Sequence, residues 1–251
     1  MDSDCQETVD WLLETVQMAA KHHLMVNYHG MYKPTGLERT WPNQITREGI
    51  LGNEYNKFSK NITSEHCATL PFTRFLVGPG DFTPGGFINV QPENFSTQKK
   101  LQTPPCKEMG TRAHALAMCL ITDSPILTIC DMFKNYRNQP GSAFLKNLPA
   151  VWDETVAIDG EIGKYYLVTR RTGNVWYAAA ITNEKGRDLT LSCKFLPEGK
   201  EYTAELYSDT PESAKEATKI AVTSQKVKSG DTLKIKMVRN GGWCVVFRPG
   251  K

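Results

Sequence analysis

Residues 155–183 read TVAIDGEIGKYYLVTRRTGNVWYAAAITN, and this stretch decides the fold class of the C-terminal part of the chain. Apolar and polar side chains alternate in it, and Tyr, Val, Trp and Thr are frequent, which is typical of half-buried β-strands. Gly173 and Asn174 form a turn signal between strands predicted over Tyr165–Thr169 and Val175–Ile181. The two segments are therefore predicted to form an antiparallel hairpin.

Further strand-like segments follow at close spacing, with turn signals between them: residues 188–196, 202–209, 219–227, 232–238 and 243–249. Closely spaced short strands without intervening helices predict an antiparallel β-sandwich of about one hundred residues. The character of the sequence changes near Leu148 and Pro149. We therefore divide the chain into residues 1–149 and residues 150–251.

The first 149 residues follow a different pattern, in which helical stretches alternate with short apolar runs. Helices are predicted over Gln6–His22, over Arg112–Ile121 and in a later segment interrupted near Pro140, and strands over Leu24–Tyr28, Phe72–Val77 and Pro125–Ile129. Helices alternating with fully apolar strands are typical of parallel α/β architecture. In a (β/α)8 barrel, catalytic groups lie on loops at the C-terminal ends of the strands, but this region has too few units to close such a barrel.

Composition and charge argue against nucleic-acid binding, a membrane span and cysteine-based metal or redox sites. The net charge is +3 over 251 residues, and Lys and Arg are scattered, so no nucleic-acid partner is predicted. No apolar run reaches transmembrane length, so no membrane span is predicted. The seven cysteines include no Cys-x-x-Cys pair, which argues against a zinc ribbon or a thioredoxin-like site.

A polar stretch after the first predicted strand carries the candidate chemistry. Residues 27–59 read NYHGMYKPTGLERTWPNQITREGILGNEYNKFS. Glu48 and Glu54 lie six residues apart in it, and two such carboxylates can act as general acid and base or bind a hard cation such as calcium. Two solvated surface glutamates beside basic neighbours are the commoner explanation of such a pair on spacing alone.

Other polar and aromatic residues near the predicted strand ends have two interpretations each. His29 can contact a substrate hydroxyl or serve as a hydrogen-bonded strand-end histidine. Arg39 and Trp41 can line a sugar site, with the indole stacked on the ring, or Trp41 can be a core residue. Asp81 can reach the site or hold its own turn by accepting backbone hydrogen bonds.

The motifs in these segments resemble glycoside hydrolase family 97. The resemblance is carried by HGMYKPTGLERTWPNQITREGILGNEYNKF and TLPFTRFLVGPGDFTPGGF, and more weakly by GEIGKYYLVTRRTGNVWYAAAITN. It implies that residues 1–149 are the second half of a catalytic (β/α)8 barrel and that residues 150–251 are a C-terminal antiparallel β-sandwich. The family comprises calcium-dependent α-glycosidases of bacteria, mostly Bacteroidetes, acting on oligosaccharides or glycosides in the periplasm or outside the cell.

The resemblance also implies roles for individual residues. Glu54, in GNEYN, matches the acid/base carboxylate of the family and lies at its metal. Glu48, in TREG, matches a calcium ligand, and His29 matches a histidine of the sugar-binding subsite. Arg39 and Trp41 remain candidate substrate-binding residues on the residue-level argument alone.

Gly30 bears on the stereochemistry that the resemblance implies. Inverting α-glucosidases of the family have a glutamate after the histidine, whereas His29 is followed here by Gly30, as in the retaining, α-galactosidase-like branch. The nucleophile of that branch is an aspartate that aligns just before Met1, and Asp2 and Asp4 are the alternatives if the alignment shifts by a few residues. We therefore expect 251 residues alone to be inactive. The chain is then a truncated reading frame, a split gene product with its N-terminal half as a separate chain, or a piece of a longer protein. A non-catalytic remnant or carbohydrate-binding module is the alternative, and an inverting α-glucosidase is disfavoured by Gly30.

Overall fold

The computed structural model describes residues 3–97 and 107–250. Up to residue 149, most elements are short and irregular segments join them. The helices are α1 (Gln6–Lys21), α2 (Ser64–Thr69), α3 (Arg112–Ile121), α4 (Phe133–Tyr136) and α5 (Ser142–Lys146), and the strands are β1 (Val26–Tyr28), β2 (Gln44–Arg47), β3 (Asn89–Val90) and β4 (Glu108–Met109). The predicted helices are therefore confirmed. Within the described ranges, no helix is both long enough and apolar enough to cross a membrane.

Parallel pairing brings the ends of three chain segments to one edge of this region. Strand β1 pairs with β2 in parallel, and Arg47 at the end of β2 forms a parallel bridge to Gly80. Strand β3 pairs with β4 in parallel as well. The predicted parallel character is therefore present. Two separate two-stranded sheets do not confirm the predicted half of a (β/α)8 barrel.

Two of the predicted strands were wrong. The segment Phe72–Val77 forms turns of 3-10 helix, Leu70–Phe72 and Arg74–Val77, and Pro125–Ile129 belongs to no strand. The periodicity of a short apolar run does not distinguish a strand from a helical turn, and in Phe72–Val77 the apolar Leu76 is 74% exposed. In the first segment the helical turn directs a buried arginine toward nearby carbonyl groups. The second runs along the surface, where Ile126 is 44% exposed.

The C-terminal region consists of eight strands in two sheets. They are β5 (Glu154–Glu161), β6 (Tyr165–Thr172), β7 (Val175–Thr182), β8 (Arg187–Ser192), β9 (Tyr202–Ser208), β10 (Ala221–Val227), β11 (Thr232–Met237) and β12 (Gly242–Pro249). The larger sheet has the order β10-β9-β12-β7-β6-β5, and the smaller sheet pairs β11 with β8. Every pairing is antiparallel, as predicted, and Gly173 turns the β6–β7 hairpin with a φ of 54°.

An apolar core fills the space between the two sheets. Trp176, Trp243 and Phe247 of the large sheet pack against Leu191 and Ile235 of the small sheet. Alternate residues of each strand face this layer, which is the arrangement that period-two patterning produces. The β-sandwich is therefore present, with sheets of unequal size.

The other face of the large sheet is covered by α3. All ten residues of this helix are buried, and Leu116 and Met118 belong to one apolar cluster with Tyr177 and Val246 of the sheet. The fit is close, since a Cβ atom at Gly242 would lie 2.5 Å from the Cα atom of His114. The central strands β7 and β12 are thus buried on both faces, whereas the edge strands β5 and β10 are mostly exposed. The two regions of the chain share one apolar cluster.

Candidate active site

The candidate site lies where the three neighbouring parallel segments end. His29 follows β1, Glu48 follows β2, and Asp81 follows the bridge at Gly80. Because parallel strands point the same way, the residues after them meet at one edge of the structure. Glu54 joins them from the 3-10 helix Asn53–Lys57.

His29 lies between three carboxylates. Its Nδ1 atom is 3.0 Å from Asp81 Oδ2 and 3.5 Å from Glu48 Oε2, and its Nε2 atom is 3.1 Å from Glu54 Oε1. The side chains of Glu48 and Asp81 are 5% and 7% exposed, whereas those of Glu54 and His29 are 33% and 46% exposed. Glu48 and Asp81 thus form the floor of the site, and Glu54 and His29 face solvent.

Burial and mutual repulsion shape the protonation of the cluster. Burial raises the pKa of the Glu48 carboxyl, and the N–H of Gly30 and the nearby His29 oppose that shift only in part. Burial disfavours the charged imidazolium of His29, but Asp81, Glu48 and Glu54 together outweigh it and raise its pKa. The site therefore favours an added positive charge, which His29 supplies when it is protonated.

The donor atoms fit a bound calcium ion. His29, Glu48 and Glu54 each offer one ligand atom, and these atoms lie within 4.8 Å of one another. Among the described residues, no group donates a hydrogen bond to the buried Oε1 atom of Glu48. A buried carboxylate oxygen without a partner is costly, and calcium prefers carboxylate oxygens. Calcium itself stays a prediction.

Arg74 joins the loop that carries Glu48 to the loop that precedes Asp81. Its guanidinium donates hydrogen bonds of 2.7–2.9 Å to backbone carbonyl groups of residues 47, 48, 49, 78 and 79. Burial lowers the pKa of Arg74 to about 10, so the group stays charged at neutral pH. The five carbonyl dipoles partly replace its hydration, and in return both loops are fixed in place.

The 3-10 helix that carries Glu54 is hydrogen-bonded to the loop that carries Asp81. The N–H of Asn53 donates a 2.8 Å hydrogen bond to the carbonyl of Phe82. A Cβ atom at Gly52 would lie 3.1 Å from that carbonyl oxygen, so the glycine permits the close approach. Lys57 Nζ lies 3.9 Å from Glu54 Oε2 on the solvent side. Glu54 is therefore held between His29 and Lys57.

A cavity of about 290 Å³ opens beside the carboxylates. Its lining includes Asp4, Gly30, Glu48, Gly49 and Tyr55. Gly30 has a φ of 67°, a conformation that favours glycine, and its N–H donates to the Glu48 carboxylate. The lack of a side chain at Gly30 thus leaves space next to Glu48.

Arg39 and Trp41 lie away from these contacts. Arg39 is exposed at the end of the 3-10 helix Leu37–Arg39. Trp41 packs against the apolar cluster of Leu12, Val16, Tyr28 and Met31, which agrees with the interpretation of a core residue. Within the described ranges no hydrogen bond or ion pair links either residue to the cluster around His29. Their contact with substrate stays a prediction.

Three residues close to the site were not among the predicted site residues. Arg74 lies inside a segment predicted as a strand, Asn53 belongs to the GNEYN motif in which only Glu54 was given a role, and Glu108 belongs to no motif. Asp81 had two interpretations, and its hydrogen bond to His29 favours the one in which it reaches the site. A polar residue within an otherwise apolar run was the available signal for Arg74.

Comparison with known proteins agrees with this geometry. Residues 1–50 match the family model described as glycoside hydrolase 97, and residues 151–248 match the model described as glycosyl-hydrolase 97 C-terminal, oligomerisation. These matches define the class, which is the glycoside hydrolases. The chain belongs to glycoside hydrolase family 97 and corresponds to a C-terminal portion of its members.

Individual relatives extend over nearly all of the chain. A retaining alpha-galactosidase of Bacteroides thetaiotaomicron is 34% identical, covering 99% of this chain and 37% of the relative. A probable retaining alpha-galactosidase of Streptomyces bingchenggensis is 31% identical, covering 100% of this chain and 36% of the relative. The chain thus spans just over a third of the length of these curated relatives.

Solved structures agree with the same assignment. A family 97 enzyme of Pseudoalteromonas sp., solved in complex with panose, superposes with a TM-score of 0.88 at 33% identity, covering 99% of this chain and 38% of the other. A beta-arabinopyranosidase superposes with a TM-score of 0.76 at 27% identity, covering 92% of this chain and 35% of the other. The arrangement of the two regions is therefore common to these enzymes.

Proposed function

We propose that this chain supplies the acid/base and metal-binding side of the active site of a retaining, α-galactosidase-like glycosidase. The observation that carries the proposal is the convergence of Glu48, Glu54 and Asp81 on His29 at the ends of adjacent parallel segments. The curated relatives, named as retaining alpha-galactosidases, support the choice of substrate. Terminal α-linked galactosides are therefore the proposed substrates.

Glu54 has the position that an acid/base requires. It faces solvent, where a leaving group departs, and His29 and Lys57 hold its two carboxyl oxygens. In the first step the bond between the sugar C1 and the leaving oxygen breaks, and the Glu54 carboxyl gives its proton to that oxygen. A nucleophilic carboxylate bonds to C1 as this happens. In the second step Glu54 takes a proton from the water that displaces the nucleophile from C1.

We propose that the nucleophile is the aspartate that aligns before Met1 in the retaining branch. Gly30 supports retention, because an inverting enzyme needs a second carboxylate to activate water on the opposite face of the sugar. A glycine at this position offers no such group. The cavity beside Gly30 and Glu48 leaves room for the substrate instead.

Glu48 and Glu54 are the groups that would hold calcium, because calcium takes oxygen ligands. A bound calcium ion supplies positive charge that orients the sugar hydroxyls and stabilises charge developing near the glycosidic oxygen. Glu48 has the buried, unpartnered oxygen and is the strongest candidate ligand. Asp81 orients His29 through its own hydrogen bond.

The test is an assay of the whole protein, meaning this chain together with the N-terminal half that is proposed to carry the nucleophile. The substrates are aryl α-galactosides, aryl α-glucosides and aryl β-arabinopyranosides. We expect the highest kcat/KM with the α-galactoside, loss of activity with a calcium chelator, and recovery when calcium is added. NMR spectroscopy of the first product should detect the α-anomer, which is the result of retention. The β-anomer would contradict retention and favour the inverting alternative. Binding of galactosides without any turnover would favour a non-catalytic module.

A further inference from the structure

We infer that Glu108 is a positioning residue, which through Asn53 fixes the orientation of the Glu54 carboxyl group toward the leaving group of the substrate. The inference rests on the acid/base role proposed for Glu54. Glu108 lies on β4, 54 positions after Glu54 in the sequence. It contributes nothing to the cluster around His29.

Asn53 is the link, because it directly precedes Glu54 and is 1% exposed. Its side-chain Nδ2 donates a 3.2 Å hydrogen bond to Cys130 Sγ, and its Oδ1 accepts a 2.6 Å hydrogen bond from Asn56. The Glu108 carboxyl group lies beside the contact with Cys130, because its Oε2 atom and Cys130 Sγ flank the same Cβ position of Gly86, at 2.6 and 3.0 Å, and Asn53 acts on its pKa. The first residue of the 3-10 helix is thus held from several directions, which restricts how the next residue can turn.

The pocket around Glu108 is built to hold a carboxyl group. Glu108 is 4% exposed and accepts a hydrogen bond from the backbone N–H of Gly86. A Cβ atom at Gly86 would lie 2.6 Å from Glu108 Oε2 and 3.0 Å from Cys130 Sγ, so any larger residue would displace one or both of these side chains. Arg112 and Asp131 supply the nearby charges.

Glu108 is not held mainly by an ion pair with the nearby Arg112. Burial raises its pKa to about 8, and the bonds from Asn53 and Gly86 oppose the shift only in part. The nearby Arg112 directs its guanidinium to Asn89 and to the carbonyl of Phe87. Packing alone would favour an apolar side chain in this place, because a buried carboxyl group costs free energy even when it is hydrogen-bonded. An apolar side chain would lose both the contact to Asn53 and the hydrogen bond from the Gly86 N–H, and only the former leads to Glu54.

The test compares two aryl α-galactosides that differ only in the need for acid assistance. A phenyl leaving group needs the proton of Glu54, whereas a dinitrophenyl group departs without it. The measured quantity is kcat/KM of the whole protein, which reports on the first bond-breaking step. For Glu108→Ala we expect a loss of about 10- to 100-fold with the phenyl substrate and little change with the dinitrophenyl substrate.

A second variant and a double mutant distinguish loss of the Glu108 contact from misfolding of the protein. Glu108→Gln has the same shape and keeps one acceptor oxygen, so we expect a smaller loss with the same preference for the dinitrophenyl substrate. Adding Asn53→Ala to Glu108→Ala should cost little more than either change alone, because both break the same link. The matched control is Asp209→Asn, which alters another buried carboxyl group, one that accepts hydrogen bonds from the backbone N–H groups of Val238 and Gly242. We expect it to change kcat/KM for both substrates by the same factor.

Two outcomes would overturn the inference, and they are distinguishable. Equal losses on both substrates in Glu108→Gln would mean that Glu108 has a structural role only. Additive losses in the double mutant would mean that it does not act through Asn53. If the unchanged protein cleaves neither galactoside, the proposed function itself is wrong, and the inference falls with it.

Discussion

The two regions of the chain bury different kinds of side chain. Up to residue 149 the interior contains charged groups, including Arg47, Arg74, Glu48, Glu108 and Arg112. Between the two sheets of the C-terminal region, the core is almost entirely apolar and aromatic. Apolar burial stabilises a fold without directing it toward a ligand, whereas buried charges must be met by specific partners. The comparison indicates that substitutions up to residue 149 affect chemistry first and that substitutions in the sandwich affect stability first.

The largest expected effect is on catalysis. Glu54→Gln removes the proton donor and should lower kcat/KM for a phenyl α-galactoside about 100- to 10,000-fold. The melting temperature should change little, because Glu54 is a third exposed. The control is Glu65→Gln, which alters an exposed glutamate of α2 outside the site. If Glu54→Gln unfolded the protein while leaving the activity of the folded fraction unchanged, substitutions up to residue 149 would not affect chemistry first, which contradicts the comparison.

The next largest effect is expected in the sandwich core. Trp243 is 1% exposed between the two sheets, and Trp243→Ala should lower the free energy of unfolding by about 3–5 kcal/mol. Urea unfolding measures the loss, and Val222→Ala on the edge strand β10, where the side chain is 45% exposed, is the control. A loss below about 1 kcal/mol for Trp243→Ala would mean that the sandwich is not the stabilising region.

A third prediction concerns the pH dependence of stability at the interface between α3 and the large sheet, which we call the seam between the regions. Burial lowers the pKa of His114 to about 4, below the value of about 6.5 expected in the unfolded chain. The unfolded chain therefore takes up a proton first as pH falls, and His114 should cost about 3 kcal/mol of stability between pH 7 and pH 4. His114→Gln should remove this pH dependence in urea unfolding.

The same seam provides a comparison of opposite sign. Burial raises the pKa of Asp209 to about 7, so the folded protein takes up this proton first. Its contribution to stability is present at low pH and is lost as pH rises through 7. Relative to the unchanged protein, Asp209→Asn should therefore become less stable as pH falls from 7 to 4. A change in the same direction as His114→Gln would contradict the burial of one of the two groups.

The smallest expected effect is at the hairpin turn of β6 and β7. Gly173 has a φ of 54°, and a Cβ atom there would meet no atom within 4 Å. Gly173→Ala should therefore cost only the conformational penalty of about 1 kcal/mol, measurable as a small shift in the urea midpoint. Gly241→Ala is the contrasting substitution, because its Cβ would lie 2.0 Å from Asp209 Oδ2 and should cost more.

The sequence predicted the two regions unequally for a physical reason. In the sandwich, each strand has alternating side chains and a clear turn, so the Gly173–Asn174 hairpin and its neighbours were predicted correctly. Up to residue 149, the apolar runs are short, and their conformation depends on distant partners. The predicted strand Phe72–Val77 is instead a helical turn, because Arg74 reaches carbonyl groups more than twenty residues away in sequence.

The site was predictable to the extent that its residues follow strand ends. His29 and Asp81 were identified in that way. Glu48 and Glu54 were identified instead as a carboxylate pair in one polar loop and from the resemblance, and the structure brings both close to His29. Glu108 was not predicted, because nothing local in the sequence relates it to Asn53. Trp41 was ambiguous because a tryptophan serves equally well in a core and on a sugar.

The position of β12 has a consequence for how the protein is made. This strand is synthesised after all the other strands of the large sheet, yet it lies in the middle of that sheet, between β9 and β7. It also covers α3, whose ten residues are all buried. Until β12 emerges from the ribosome, the sheet is divided and α3 lacks much of its cover. Glu54 and Glu48 are therefore translated long before the surface that stabilises their region exists, so a chain shortened by its final strand would expose α3 to chaperones and proteases.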